Sequence, residues 1–144
     1  MNIADIHLAC KSGNLELIIK AFNDNPAKIN EKDSQVRIIQ LSWTPLYRTV
    51  ISGRFEAAEF LLSKGADPNI TNNLGETPLH QAADSSNYEL AELLISYKVQ
   101  VNVQQNEGDT ALHHSAFRGD CKMLGLLLQS GGNPNIRNKV VSDI

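Results

Sequence analysis

The chain has 144 residues, of which 42% are hydrophobic and 20% are charged, and its formal net charge is -3. These values describe one folded domain of moderate size and exclude both a collagen-like and a disordered chain. No apolar run approaches the roughly 20 residues that span a bilayer, and the scattered Lys and Arg residues form no basic stripe for a phosphate backbone. We therefore expect an intracellular protein, cytoplasmic or nuclear, that binds neither a membrane nor a nucleic acid.

The sequence repeats itself at a fixed period of 33 residues. Thr44-Pro45-Leu46 is followed at this period by Thr77-Pro78-Leu79-His80 and by Thr110-Ala111-Leu112-His113. The same period relates Pro68-Asn69-Ile70, Val101-Asn102-Val103 and Pro134-Asn135-Ile136. Self-similarity of this kind indicates a repeat architecture, in which each unit packs against its neighbours along the chain.

Each unit is predicted to form two helices followed by an extended arm. Thr44 and Thr77 suit the N-cap position, and the proline after each suits the first helical position, where no backbone donor is needed. Gly53 and Gly119 suit the end of this first helix. The second helices then carry these apolar faces: Ala57, Ala58, Phe60, Leu61, Leu62; Leu90, Ala91, Leu93, Leu94, Ile95; and Met123, Leu124, Leu126, Leu127, Leu128. One helix pair is too small to bury such a face alone, so the units must stack into an all-α repeat solenoid with one continuous core.

Two stretches closely resemble the signature of the ankyrin-repeat family. They are residues 61–69, Leu-Leu-Ser-Lys-Gly-Ala-Asp-Pro-Asn, and residues 75–83, Gly-Glu-Thr-Pro-Leu-His-Gln-Ala-Ala. The resemblance extends over most of the chain, and it implies an ankyrin-type stack of helix-turn-helix units joined by β-hairpin-like arms. Unit two departs from the signature, because Tyr47 stands in place of the histidine.

In chain order, one ankyrin-repeat domain over residues 1–144 divides into four units and a short tail. Residues 1–33 form an N-terminal cap, since residues 6–17 align with residues 79–90 although they lack the Thr-Pro pair. Residues 34–71 form unit two, whose arm carries an insertion of seven residues. Units three and four are residues 72–104 and 105–137. Residues 138–144 are a tail or the start of a further unit.

The four histidines and two cysteines show no pattern of catalysis or metal binding. His80 and His113 are equivalent, and the resemblance implies that such a histidine ties its turn to the neighbouring unit by hydrogen bonds; His7 matches the same position. No zinc, phosphate-loop or nucleophile motif is present. Cys10 and Cys121 lie far apart in predicted helices, which favours two reduced thiols. We therefore expect a protein that is not an enzyme and uses no metal or cofactor.

The resemblance implies that a protein partner docks on the concave face, which the arms and the first helices build. The candidate binding residues on this face are Arg37, Ile39, Leu41, Trp43, Ile51, Leu74, Glu76, Asp84, Asp109, Phe117 and Arg118. Exposure of Trp43, Ile51, Leu74 and Phe117 together would form a contiguous apolar patch, which is typical of an interaction site. Leu74 is equally compatible with packing into the stack. The insertion either covers the junction of cap and unit two or contacts the partner.

Asn69, Asn102 and Asn135 recur at one place in the arms. The simplest interpretation is that their amides satisfy backbone groups of the turns. The resemblance adds an alternative, in which an asparaginyl hydroxylase modifies them.

The leading functional hypothesis is a monomeric, non-catalytic adaptor or inhibitor that binds a protein partner on a rigid surface. One alternative is the ankyrin segment of a larger enzyme, channel or scaffold protein. The apolar second helix of unit four supports this alternative, because a terminal unit needs a polar outer face. Another alternative is a small ankyrin protein like the inhibitors of cyclin-dependent kinases, which have a similar size and number of repeats.

Overall fold

The computed structural model describes residues 5–33 and 42–140. Within these ranges it contains eight α-helices, one 3-10 helix and no β-strand. They are α1 Ile6–Ser12, α2 Leu15–Asp24, the 3-10 helix Pro26–Asn30, α3 Pro45–Ile51, α4 Phe55–Ser63, α5 Pro78–Asp84, α6 Tyr88–Ser96, α7 Ala111–Arg118 and α8 Cys121–Gln129. The predicted all-α repeat solenoid is confirmed. The predictions for Arg37, Ile39 and Leu41, and for residues 141–144, fall outside the described residues.

The helices form two layers. Within each unit the two helices pack against each other, and the first helices α1, α3, α5 and α7 contact one another in series. The second helices α2, α4, α6 and α8 form a parallel series behind them. Side chains at equivalent positions of successive first helices therefore lie in a row across the stack.

Caps determine where the helices begin. The Thr44 hydroxyl accepts a hydrogen bond from the backbone N–H of Tyr47 at 3.2 Å, and Thr110 accepts one from His113 at 3.4 Å. Three of the four second helices, α2, α6 and α8, begin at an Asn or Asp instead; the Asn87 side chain accepts from the N–H of Leu90 at 3.1 Å. Each cap satisfies a backbone donor that the helix itself cannot use.

One hydrophobic core runs through all four units. The equivalent residues Leu61, Leu94 and Leu127 are all fully buried, as the apolar faces of the second helices predicted. Leu128 is the exception, since it was predicted to be buried and its side chain is 42% exposed. The reason is its place on the last helix, where the described residues provide no further unit to cover it.

The arms are tight turns rather than strand pairs. In unit three the N–H of Asn72 donates to the carbonyl of Glu76 at 2.9 Å and closes the turn. Each arm then bonds to the next, since Asn106 N–H donates to the Leu74 carbonyl at 2.9 Å. Gly75, at φ 78°, makes this approach possible, because a Cβ there would lie 2.8 Å from the Asn106 side chain.

Candidate protein-binding surface

The last turns of the first helices form an exposed row across the stack. Lys11, Ile51, Asp84 and Phe117 occupy the equivalent position in units one to four. Phe117 is 89% exposed and Ile51 is 39% exposed, so both are accessible as the sequence predicted. Phe117 buries little surface against the chain itself and Ile51 leaves more than a third of its surface accessible, which makes both of them candidate anchors for a partner.

An ion pair separates these two apolar side chains. The Arg118 guanidinium holds the Asp84 carboxylate with two nitrogens at 3.0–3.1 Å, and His114 Nδ1 lies 3.7 Å from the same carboxylate. Asp84 occupies the position between Ile51 and Phe117 in the row. The expected contiguous apolar patch is therefore wrong, and the face alternates apolar and charged groups instead.

Trp43 does not lie free on the surface, contrary to the prediction. Its ring stacks on Tyr47 with centroids 5.9 Å apart, and the Arg48 guanidinium carbon lies 5.1 Å from the ring centroid. The indole N–H is enclosed and has no hydrogen-bond partner among the described residues. The cause is Tyr47, because an aromatic ring at this position offers Trp43 a flat face on which to stack.

Glu76 and Asp109 take part in the internal bonding of the stack. Glu76 Oε2 accepts from the Tyr47 hydroxyl at 3.2 Å and from Asn72 Nδ2 at 2.8 Å. Asp109 Oδ1 accepts from Asn138 Nδ2 at 2.7 Å. Leu74 lies in the arm with its side chain 39% exposed. Of these three candidates, Leu74 therefore has the side chain best placed to meet a partner.

His80 has the structural role that the repeat predicted. Its Nδ1 accepts from the N–H of Thr77 at 3.0 Å, so its Nε2 carries the proton and donates to the Asp109 carbonyl at 3.1 Å. Burial lowers the pKa of His80 below its usual value and keeps the ring neutral. His113 repeats the first of these bonds with Thr110 at 3.1 Å.

His7 does not share that role. Its ring nitrogens are enclosed and make no hydrogen bond of the kind seen at His80 and His113, and burial lowers its pKa. Among residues 5–33 and 42–140, the cap therefore shows no equivalent of the bond between threonine and histidine. The missing Thr-Pro pair explains the difference, because the cap lacks the threonine that this ring would bond.

The described residues contain no cluster of potential metal ligands. Among residues 5–33 and 42–140, no group of three or more His, Cys, Asp or Glu side chains is placed to hold a metal ion. Cys10 is buried, Cys121 is exposed, and both are free thiols. In the same part of the chain, no helix has the length and apolar character that crossing a membrane requires.

Leu8 lies on the face that the first helices build, and it was not among the candidate residues taken from the sequence. Its side chain is 57% exposed, at the position held by Arg48, Gln81 and His114 in the other units. The sequence did contain a signal for this exposure, because Leu8 is apolar at a position that is polar in the three other units. The cap's departure from the signature obscured it.

The arm asparagines tie successive units together. Asn69 Oδ1 accepts from the N–H of Gln100, and Asn102 Oδ1 accepts from the N–H of Asn133, each at 2.8 Å. Asn30 makes the same bond to Asp67 at 2.8 Å. The predicted backbone role is thus confirmed for Asn69 and Asn102, whereas the exposed Asn135 has no equivalent bond within the described residues.

Comparison with known proteins agrees with this architecture. The family model described as ankyrin repeats (3 copies) matches residues 6–72 and 61–138. The chain is also 35% identical over 74 residues to protein phosphatase 1 regulatory subunit 27 of Homo sapiens, a match that covers 51% of this chain and 44% of that protein. The aligned part is therefore less than half the length of that relative. With its helix pairs, arms and matched residues, the chain belongs to the ankyrin-repeat family.

Proposed function

We propose that this chain is a non-catalytic protein-binding module, an adaptor or inhibitor, that holds its partner on the face built by the first helices and arms. The observation that carries the proposal is the nearly complete exposure of Phe117, one helical position from Arg118 and in a row with Ile51. Aromatic and Arg side chains are enriched among the residues that dominate binding energy. The stack presents them on packed helices, so little conformational entropy is lost on binding.

The relative supports a regulatory role by its name, which describes a regulatory subunit of a phosphatase. A regulatory subunit acts by binding another protein, which agrees with the protein-binding role proposed for this face. The catalytic subunit of protein phosphatase 1 is therefore the first partner to try. Because the match spans less than half of that relative, this partner is a proposal within the broader one.

Variants of the exposed row test the face directly. The double substitution Phe117→Ala with Ile51→Ala removes both anchors, while the melting temperature stays within a few degrees because neither side chain is in the core. We expect binding to a captured partner to weaken at least about 30-fold, the equivalent of losing about 2 kcal/mol. Isothermal titration with the purified partner gives this ratio.

Tyr97→Ala is the matched control, because Tyr97 is also an exposed large side chain but lies outside the row, immediately after α6. It should leave the affinity unchanged. Equal affinity of the wild type and the double variant would reject this face as the binding site. Failure of the phosphatase subunit alone to bind would reject only that partner.

Asn135 supports a second candidate role, as a substrate for an asparaginyl hydroxylase. The side chains of Asn69 and Asn102 are held by the next unit, whereas that of Asn135 is exposed and has no such bond within the described residues. Incubation with the hydroxylase and peptide mass mapping should place one added oxygen atom on Asn135 before either of the others. Modification of Asn69 first would contradict this order.

A further inference from the structure

An open hollow lies between α4 and α6, on the layer of second helices. It encloses about 330 Å³ and is lined by Phe55, Glu89, Glu92 and Leu93. Phe55 and Leu93 are half-buried, whereas the two glutamates are exposed. The hollow thus combines an aromatic and aliphatic floor with a rim of two carboxylates. Because the exposed row of Ile51 and Phe117 belongs to the first helices, this surface is separate from the one proposed above.

The carboxylates of this surface lack an ion-pair partner in the described part of the chain. Among residues 5–33 and 42–140, neither Glu89 nor Glu92 forms an ion pair. Glu56 and Glu59 hold the equivalent positions on α4, where both are exposed and likewise unpaired within these ranges. Helices α4 and α6 therefore present four carboxylates whose charge a basic partner can neutralise.

The next junction of the stack shows what such a place binds. Tyr88 is the equivalent of Phe55, and Lys122 of unit four is the equivalent of Glu89. Lys122 Nζ lies 3.9 Å from the centroid of the Tyr88 ring. The attraction between a cation and the face of an aromatic ring favours this contact. Between units three and four, the chain therefore supplies its own cation to the ring that stands in the place of Phe55.

Between units two and three, the neighbouring basic side chains lie elsewhere. Arg54 precedes Phe55, but its guanidinium lies beside Gly13 of the cap, where a Cβ would be 2.5 Å from the Arg54 Nε. Lys64 Nζ lies 5.7 Å from the centroid of the Phe60 ring. Within the described residues, the Phe55 ring has no such cation contact. A cation in this hollow would therefore come from another molecule.

We propose that the hollow binds an arginine side chain from a basic segment of a protein partner. The planar guanidinium stacks on the Phe55 ring and donates hydrogen bonds to the carboxylates of Glu89 and Glu92, a combination that an ammonium group provides less well. The apolar stem of the arginine packs on Leu93. This site adds a second contact surface to the exposed row of the first helices and does not depend on it.

The carboxylates of α4 set the spacing of the charges on the partner. Packed helices lie about 8–10 Å apart, and an extended segment advances about 3.3 Å per residue. Three residues therefore span the step from Glu89 and Glu92 to Glu56 and Glu59. The segment that fits carries two arginines three positions apart in an extended conformation.

A short peptide with this spacing tests the site on the full chain. The probe carries two arginines separated by two serines, and its control carries citrulline, which has a similar shape without the charge, at both places. We expect the arginine peptide to shift the amide resonances of α4 and α6 in NMR spectra and to leave those of α7 unchanged. The citrulline peptide should bind at least about tenfold more weakly. Equal binding of the two peptides, or shifts confined to other helices, overturns the proposal.

Substitutions in the hollow test its carboxylates and its ring separately. Glu89→Gln should weaken the arginine peptide about fivefold to tenfold. Glu107→Gln is the matched control, because it removes the same charge from an exposed residue of an arm and should leave the affinity unchanged. Phe55→Leu keeps an apolar side chain but removes the ring, and it should weaken binding about threefold.

Glu89→Lys copies the arrangement of Lys122 on Tyr88, so its ammonium group should occupy the Phe55 ring and prevent binding of the peptide. Circular dichroism checks that each variant keeps its helices. Equal losses for Glu89→Gln and Glu107→Gln would show that the peptide follows the net charge alone and would overturn the proposal. Full affinity in the Phe55 variant or in the Glu89→Lys variant would do the same.

Discussion

Units two and three share one plan but tie themselves to the next unit by different means. In unit three, the His80 ring links the threonine cap to the Asp109 backbone carbonyl. In unit two, the Tyr47 hydroxyl instead reaches two side chains of the next arm, Glu76 and Asn72. A bond to a carbonyl tolerates any residue at the receiving position, whereas the tyrosine bond requires particular side chains. The comparison shows that the packing of a repeat can persist while its polar link is rebuilt.

The largest effect is expected where the two units do not differ. Leu61 and Leu94 are equivalent and fully buried, so Leu61→Ala and Leu94→Ala should each lower the free energy of unfolding by about 2–5 kcal/mol. Urea unfolding followed by circular dichroism measures both costs. A large cost in unit three with a small one in unit two would show that the irregular unit packs differently at its core.

The sequence was sufficient to predict the stack because its signals are local and repeated. The Thr-Pro pairs at 44–45 and 77–78 gave helix starts, and Leu61, Leu94 and Leu127 recur at 33 residues in the one place that is always buried. Each of these residues acts within its own unit or through a neighbour of the same pattern. A fixed period is enough to find such contacts.

The surface was less predictable because it depends on pairs between units that follow no period. The bond between Asp84 and Arg118 spans two units, and neither residue alone indicates it. Trp43 was expected to be exposed, and it is half-buried because it stacks on Tyr47, a residue found at this position in unit two alone. The exposure of Phe117 was predictable, because its position faces solvent in every unit.

The second prediction breaks the link of unit two. Tyr47→Phe keeps the buried ring and removes the hydroxyl that donates to the Glu76 carboxylate. Hydrogen bonds to charged groups contribute about 1.5–3 kcal/mol, so the free energy of unfolding should fall by about that amount. Tyr97→Phe, at an exposed tyrosine, is the control and should change it little. Equal free energies of unfolding for the two variants would show that the bond from the Tyr47 hydroxyl to Glu76 does not stabilise unit two.

The third prediction separates the links by pH. Burial lowers the pKa of His80, so below about pH 6.5 the unfolded chain takes up a proton that the folded chain does not. The stability that neutral His80 provides is complete above that pH and declines as the pH falls, by at most about 1.4 kcal/mol per pH unit. Burial raises the pKa of Tyr47, so its contribution is complete below about pH 10 and declines as the pH rises.

Unfolding free energies measured across both ranges test this separation. His80→Gln should make the free energy of unfolding depend less on pH below about pH 6.5. The dependence that remains there includes the contribution of His7, whose pKa shifts in the same direction. Tyr47→Phe should reduce the pH dependence of the free energy of unfolding above about pH 10 and leave the dependence below about pH 6.5 unchanged. If the dependence at acid pH is unchanged in the His80 variant, this ring takes up its proton at the same pH in the folded and in the unfolded chain, and burial does not lower its pKa.

The smallest effect concerns the turn between the two helices of each unit. Unit two has Gly53 there at φ 66°, and unit three has Ser86 at φ 54°, a left-handed conformation that a side chain disfavours. Gly53→Ser should lower the free energy of unfolding by about 1 kcal/mol. The cost is conformational, since a Cβ at Gly53 meets nothing closer than the Asn87 side chain at 3.8 Å. The reciprocal Ser86→Gly should raise the free energy of unfolding, because glycine adopts this conformation without the cost of a side chain. Differential scanning calorimetry of the two variants and of their combination measures both changes in stability. A Gly53→Ser variant as stable as the wild type would show that the turn of unit two can change its conformation to accept a side chain.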